Sequence, residues 1–153
     1  GGRGGVGRVV RCEGGRGVGP VGVSGGGGGV GAGRGLRGRL QPGAAARGVE
    51  VRERYNRIIR ARRALPKPSV GSINGVAAGA GASLAMACDL RIASDTASFA
   101  LAFGRVGLVP DSGATWSLPR VVGLARAAEI APLGDSGTAG AAHRPGRFGR
   151  VVL

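Results

Sequence analysis

The chain has 153 residues, long enough for one domain with a buried core, and a formal net charge of +14. Two isolated cysteines and a single histidine argue against a disulfide framework or a zinc cluster, so the expectation is no metal and no resident cofactor. The longest apolar run, 75–88, is too short and too rich in glycine to span a bilayer, and a reducing cytoplasm is the expected location.

Of the 34 glycines, 21 fall in residues 1–49, and that segment has no Phe, Tyr, Trp, Ile or Met. It therefore offers little apolar area to offset the ordering entropy of so much glycine. Disorder, or translation out of frame, is the expectation for 1–49. An arginine-glycine tail can bind RNA electrostatically, but such tails usually interleave aromatic residues for stacking, and this one has none. The excess positive charge is almost entirely arginine, with Lys67 the single lysine. A GC-rich reading frame yields Gly, Ala, Arg and Pro whatever the function, so nucleic-acid binding ranks as an alternative only.

From Glu50 the texture changes. Val51, Tyr55, Ile58, Ile59 and Leu65 recur at helical spacing until Pro66 stops the pattern, which predicts an amphipathic helix. Its arginines read as a solvated face. Residues 69–73 (SVGSI) form a strand candidate, Asn74-Gly75 a turn, and the run 82–88 a helix preceded by Gly79 and Gly81. A helix start of this kind leaves backbone N–H groups unpaired at the positive end of the helix dipole, suited to a phosphate or a developing oxyanion. Close packing of helix on strand explains the small residues equally well. The G-x-G-x-x-G dinucleotide pattern is not met, because Leu84 stands at the third glycine position.

LRIAS (90–94) reads as a second strand and SFALAF (98–103) as a third apolar segment. Asp111 follows Pro110 and precedes a helical turn carrying Trp116 and Leu118. It is either a helix N-cap or a carboxylate that moves protons. GLARAAEIAPLG supplies one more helix, ending at Gly134, and 135–153 is an irregular tail without periodicity, where His143 has no visible partner.

LPKPSVGSINGVAAGAGASLAMACDLRIAS, FGRVGLVPDSGATWSLPRVVG and GLARAAEI, in that order, resemble the crotonase superfamily, the enoyl-CoA hydratase/isomerase family. The resemblance covers about 50–134, and within the family it is nearest the isomerases of phenylacetate degradation. It implies an α/β fold, a crotonase-like ββα spiral present in part between Gly/Arg-rich flanks expected to be disordered. The implied substrate is an acyl-CoA thioester, which brings its own coenzyme A, and an intact subunit is implied to form a homotrimer or hexamer.

In such enzymes two backbone N–H groups hold the thioester oxygen as negative charge develops on it. The resemblance assigns one to Ala80, with Gly79, Gly81, Ser83, Phe103 and Trp116 about the substrate. The other belongs to an earlier loop of the form F-S-A-G-x-D, whose place here is filled by the glycine-arginine tract. Two-carboxylate hydratases carry glutamates where this chain has Ser83 and Phe103, so hydration is the lesser alternative. Isomerase-like members use the Asp of a P-D-x-G turn, which is Asp111.

Overall fold

The computed structural model describes residues 11–13, 21–24, 29–30, 51–134, 136–138 and 150–152. Its first strands are β1 (Arg11–Glu13), β2 (Val21–Ser24) and β3 (Gly29–Val30). A π-helical turn over Val51–Tyr55 runs into α1 (Asn56–Arg63), followed by β4 (Ser69–Ile73) and β5 (Val76–Ala78). Then come α2 (Ala80–Ala87), β6 (Leu90–Ser94) and β7 (Ser98–Ala100). A 3₁₀ turn (Gly104–Val106), α3 (Ala114–Val122), α4 (Leu124–Leu133), β8 (Ser136–Thr138) and β9 (Arg150–Val152) complete the order.

The strands fall into two sheets, β1-β2-β4-β6-β9 and β3-β5-β7-β8. Successive strand pairs contribute one member to each sheet: β2 and β3, then β4 and β5, then β6 and β7. Within each sheet these neighbours pair in parallel, Val70 opposite Leu90 in one and Val76 opposite Ser98 in the other. Each turn of the chain thus advances both sheets by one strand. That is a spiral of ββα units, with α2 as the helix of the central unit.

Every residue of α2 from Gly81 to Ala87 is buried. Its sequence explains why: Ala, Gly, Ser, Leu and Met leave no polar face, and a helix apolar on all sides can only be an interior one. The core around it joins Ile73, Ala77, Ala82, Ala85, Met86, Ala93, Leu101, Phe103, Ala114, Leu118 and Ala127. So many alanines let the layers approach closely. At Gly104 the approach is closest, since a Cβ there would lie 2.2 Å from the carbonyl oxygen of Pro132 in α4.

Three sequence expectations change here. Val76-Ala77-Ala78, between the expected turn and the expected helix, is a strand, because its backbone pairs with β7 and that pairing overrides a weak propensity. The helix begins at Ala80, so Gly81 lies inside it. The flanks expected to lack structure supply β1, β2 and β3 on one side and β8 and β9 on the other. Sheet pairing needs only backbone N–H and C=O groups, which a glycine-rich segment has in full. The other residues of 1–49 and of 135–153, His143 included, lie outside the described residues.

Candidate active site

β5 ends at Ala78 and the chain turns through Gly79 into α2. Gly79 has φ +53° and ψ −119°, a backbone conformation open to glycine and strained for any side chain. Space is not the constraint, because the atom nearest to a Cβ at this position would be Cζ of Phe103, at 3.9 Å. The Gly79 amide is tied to Ala100 O at 2.9 Å, and Gly79 O accepts the Ser83 amide at 3.0 Å. Ala80 is the first helical residue, so its N–H has no intrahelical acceptor.

Ser83, one turn further on, is fully buried. Its hydroxyl shares its one proton between Gly79 O at 3.2 Å and Asp111 O at 3.1 Å, which joins the glycine turn to the aspartate turn. Phe103, also buried, belongs to the core beneath them. Gly79, Ala80, Ser83, Phe103 and Asp111 therefore converge as the motif order implies.

Asp111 does not cap a helix through its side chain. The N-cap of α3 is Gly113, no side chain caps that helix, and the backbone oxygen of Asp111 accepts the Ala114 amide at 2.9 Å. The carboxylate instead accepts the Ser112 hydroxyl at 2.8 Å. No sequence motif points to Ser112. It is buried and left-handed, φ +53°, followed by Gly113 at φ +78°. Two consecutive residues with positive φ reverse the chain beside a cavity that Asp111 helps to line.

That cavity measures about 650 Å³. Asn56, Ile59, Arg60 and Arg63 of α1 line one side; Asp111, Ser112, Gly113, Thr115, Trp116 and Ser117 line the other. Trp116 is half exposed, and the guanidinium groups of Arg63 and Arg120 lie over its ring at 3.9 and 4.0 Å from the centroid. Gly79, Ala80 and Gly81 are not among the lining residues. Two of the α1 arginines, read from sequence as a solvated face, are part of its wall.

A second polar cluster sits where α1, β4 and the end of α2 meet. Arg62 Nη2 lies 2.7 Å from Asp89 Oδ2 and also donates to Ser69 Oγ. The Ser69 amide and hydroxyl donate to Asp89 Oδ2 at 2.8 and 2.9 Å, and the Asp89 amide donates back to Ser69 Oγ at 3.2 Å. Burial alone would raise the Asp89 pKa, but the Ser69 amide, Arg62 and the Ser69 hydroxyl outweigh it and hold it at about 2, below its ordinary 3.8. Burial pushes the neighbouring Cys88 thiol up. Among the described residues no three His, Cys, Asp or Glu side chains gather as metal ligands, and no helix is long and apolar enough to cross a membrane.

The enoyl-CoA hydratase/isomerase family model matches residues 10–152. The chain belongs to the enoyl-CoA hydratase/isomerase family. Its members include the 1,2-epoxyphenylacetyl-CoA isomerase of Escherichia coli K12, 49% identical over 105 residues, 69% of this chain and 40% of that protein. The trans-2-decenoyl-acyl-carrier-protein isomerase of Streptococcus mutans is 44% identical over 88 residues, 58% of this chain and 34% of that one. Among solved structures, an enoyl-CoA hydratase of Mycobacterium avium subsp. paratuberculosis superposes with a TM-score of 0.74 at 37% identity, covering 86% of this chain and 48% of that one. The chain thus spans less than half the length of these relatives. The family match enters the first third, where β3 runs parallel to β5 with Val30 opposite Ala77. The glycine-arginine tract after Val30, which fills the place of the loop sought for a second N–H donor, lies outside the described residues.

Proposed function

We propose that this chain carries the reaction centre of an acyl-CoA isomerase, with Asp111 as the single proton-transferring base and the Ala80 amide as one donor to the thioester oxygen. The observation that carries the reading is the Ser83 hydroxyl bridging Gly79 O and Asp111 O. It fixes the helix start and the aspartate turn relative to one another, and the carboxylate itself accepts only the Ser112 hydroxyl among the described residues.

In this reading Asp111 removes a proton from the carbon next to the thioester carbonyl of a 3-enoyl thioester. The electron pair moves onto the carbonyl oxygen, where the Ala80 N–H stabilises it. Asp111 then returns the proton to the far end of the conjugated system, and the double bond shifts to the 2-position. One base serves both steps, and no water is consumed. Gly79 and Gly81 let the substrate approach the helix start, and Phe103 backs the site. Exposed Leu124 and Leu133 on α4, with Val109, support assembly of the intact subunit as a trimer or hexamer.

Hydration is the competing reading, favoured by the hydratase among the structural neighbours. It lacks a second carboxylate: Ser83 is engaged by two carbonyl oxygens and Phe103 is buried hydrocarbon. Asp111→Asn tests the choice. Isomerisation of a 3-enoyl-CoA should fall about 10³-fold, the usual range for removing a general base, while thioester affinity changes little. Unchanged turnover in the variant, or hydration faster than isomerisation in the parent, refutes the assignment.

A further inference from the structure

We propose that Ser112 is the positioning residue of the base: its hydroxyl holds the Asp111 carboxylate in one orientation and leaves the second carboxylate oxygen to take the proton. This rests on the isomerase reading, in which Asp111 moves a proton between two carbons of the substrate.

Two serines divide the freedom of Asp111 between them. Ser83 holds its main chain, through the carbonyl oxygen at 3.1 Å. Ser112 holds its side chain, donating to Oδ1 at 2.8 Å. With only 3% of Ser112 exposed, bulk water does not compete for the hydroxyl, and a hydrogen bond in so dry a setting is stronger than the same bond in water. Oδ2 accepts no hydrogen bond among the described residues.

The number of donors decides what a carboxylate can do. At Asp89, against the opposing effect of burial, the Ser69 amide, Arg62 and the Ser69 hydroxyl hold the pKa at about 2; a group so fully satisfied is a structural anion and a poor base. A carboxylate with no donor would turn among its rotamers, and a misplacement of about 1 Å can cost about 10²-fold in rate. One donor on one oxygen fixes the orientation and spares the other oxygen for the proton.

The backbone at this position carries a second sign. Among the described residues Ser112 alone combines a side chain with positive φ, +53°. Glycine would adopt that conformation without strain, as Gly113 does next to it at +78°. Side chains of successive residues on an extended chain point to opposite faces, whereas this turn brings the Ser112 hydroxyl back onto the carboxylate of the residue before it. The strain and the hydrogen bond therefore belong together, and strain held in this way is common where chemistry is done.

The test is kcat and KM for isomerisation of 3-hexenoyl-CoA by the full chain carrying Ser112→Ala, Ser112→Gly or Asp111→Asn, with thermal melts confirming that each variant folds. Ser112→Ala removes the hydroxyl and keeps the strain; Ser112→Gly removes both. Each should lose at least about tenfold in kcat while KM stays within about twofold of the parent, the mark of a displaced base rather than a damaged binding site. A hydroxyl that served only the turn would be dispensable once glycine relaxes the backbone. Parent-like kcat in Ser112→Gly, with Asp111→Asn inactive, therefore overturns the proposal and leaves the isomerase reading in place. Turnover that survives Asp111→Asn removes the base and overturns both. Three-bond carbon couplings in the labelled chain read the χ1 angle of Asp111 without any turnover: one rotamer is expected in the parent and an average of rotamers in both Ser112 variants. If the parent isomerises nothing and that change appears, the isomerase reading fails and the hold of Ser112 on Asp111 stands; a single rotamer kept in both variants overturns the proposal.

Discussion

Helix α1 sends neighbouring arginines into two different settings. Arg62 is buried against Ser69 and Asp89, where carboxylate, hydroxyl and amide bond one another, and its Nε is the one buried side-chain polar atom without a partner among the described residues. Arg60 and Arg63 face the open cavity at Asp111 without a counter-ion among the described residues. The first cluster has almost nothing left to offer a ligand, so its role is to clamp α1 onto β4 and the end of α2. The second keeps its hydrogen-bonding capacity unfilled. Polar residues that saturate one another hold a fold; those left unsaturated around a carboxylate are the ones available for chemistry.

Breaking each side in turn sharpens the contrast. Arg62→Met keeps the apolar stem but removes the charge from Asp89 and Ser69, and should cost about 2 kcal/mol, the range for losing hydrogen bonds to a charged group. Chemical denaturation reads the loss, and turnover below the transition should stay near the parent value; a large fall in kcat with stability intact would merge the two regions. Ser83→Ala deletes the one side-chain bond joining α2 to the aspartate turn among the described residues, with a stability cost of about 1 kcal/mol. Its signature is a fall in kcat at nearly constant KM, since the backbone bond from Ala114 still holds the turn.

The smallest effect is electrostatic. Because the folded-state pKa of Asp89 is depressed to about 2 from 3.8, its contribution is present above the higher value and is lost as pH falls through the lower one. Asp89→Asn should flatten the decline of stability between about pH 4 and pH 2. The side chain of Asp89 is half exposed, so solvent screening keeps the effect modest. An unchanged acid limb in the variant would remove Asp89 from the clamp.

The sequence made part of this legible. β4 and β6 announce themselves as short runs with Val and Ile, and Gly79, Ser83, Phe103 and Asp111 come together as motif order implies, because each is fixed by local backbone geometry. β2, β3 and β5 were hidden: Val-Gly-Val-Ser, Gly-Val and Val-Ala-Ala carry little strand propensity, and only pairing with distant strands selects their conformation. The α1 arginines looked solvated because helical periodicity reports which face is polar, not what that face meets. Trp116 was the available signal, an aromatic residue that invites guanidinium stacking. The sought F-S-A-G-x-D pattern has its Ala-Gly echoed at Ala32-Gly33, two residues past β3, with valine and glycines in place of the phenylalanine, serine and aspartate that make the motif conspicuous.

The parallel pairing of β2 with β4 and of β3 with β5 also governs how the protein can be shortened. Gly29 meets Val76 although α1 and β4 lie between them in the chain, so the described strands before residue 31 belong to both sheets. Cutting at residue 49 to discard a supposed tail would strip the outer neighbours from β4 and β5 together. Two rows of backbone donors and acceptors would be left open to other chains, and self-association would follow from a deletion designed to tidy the molecule.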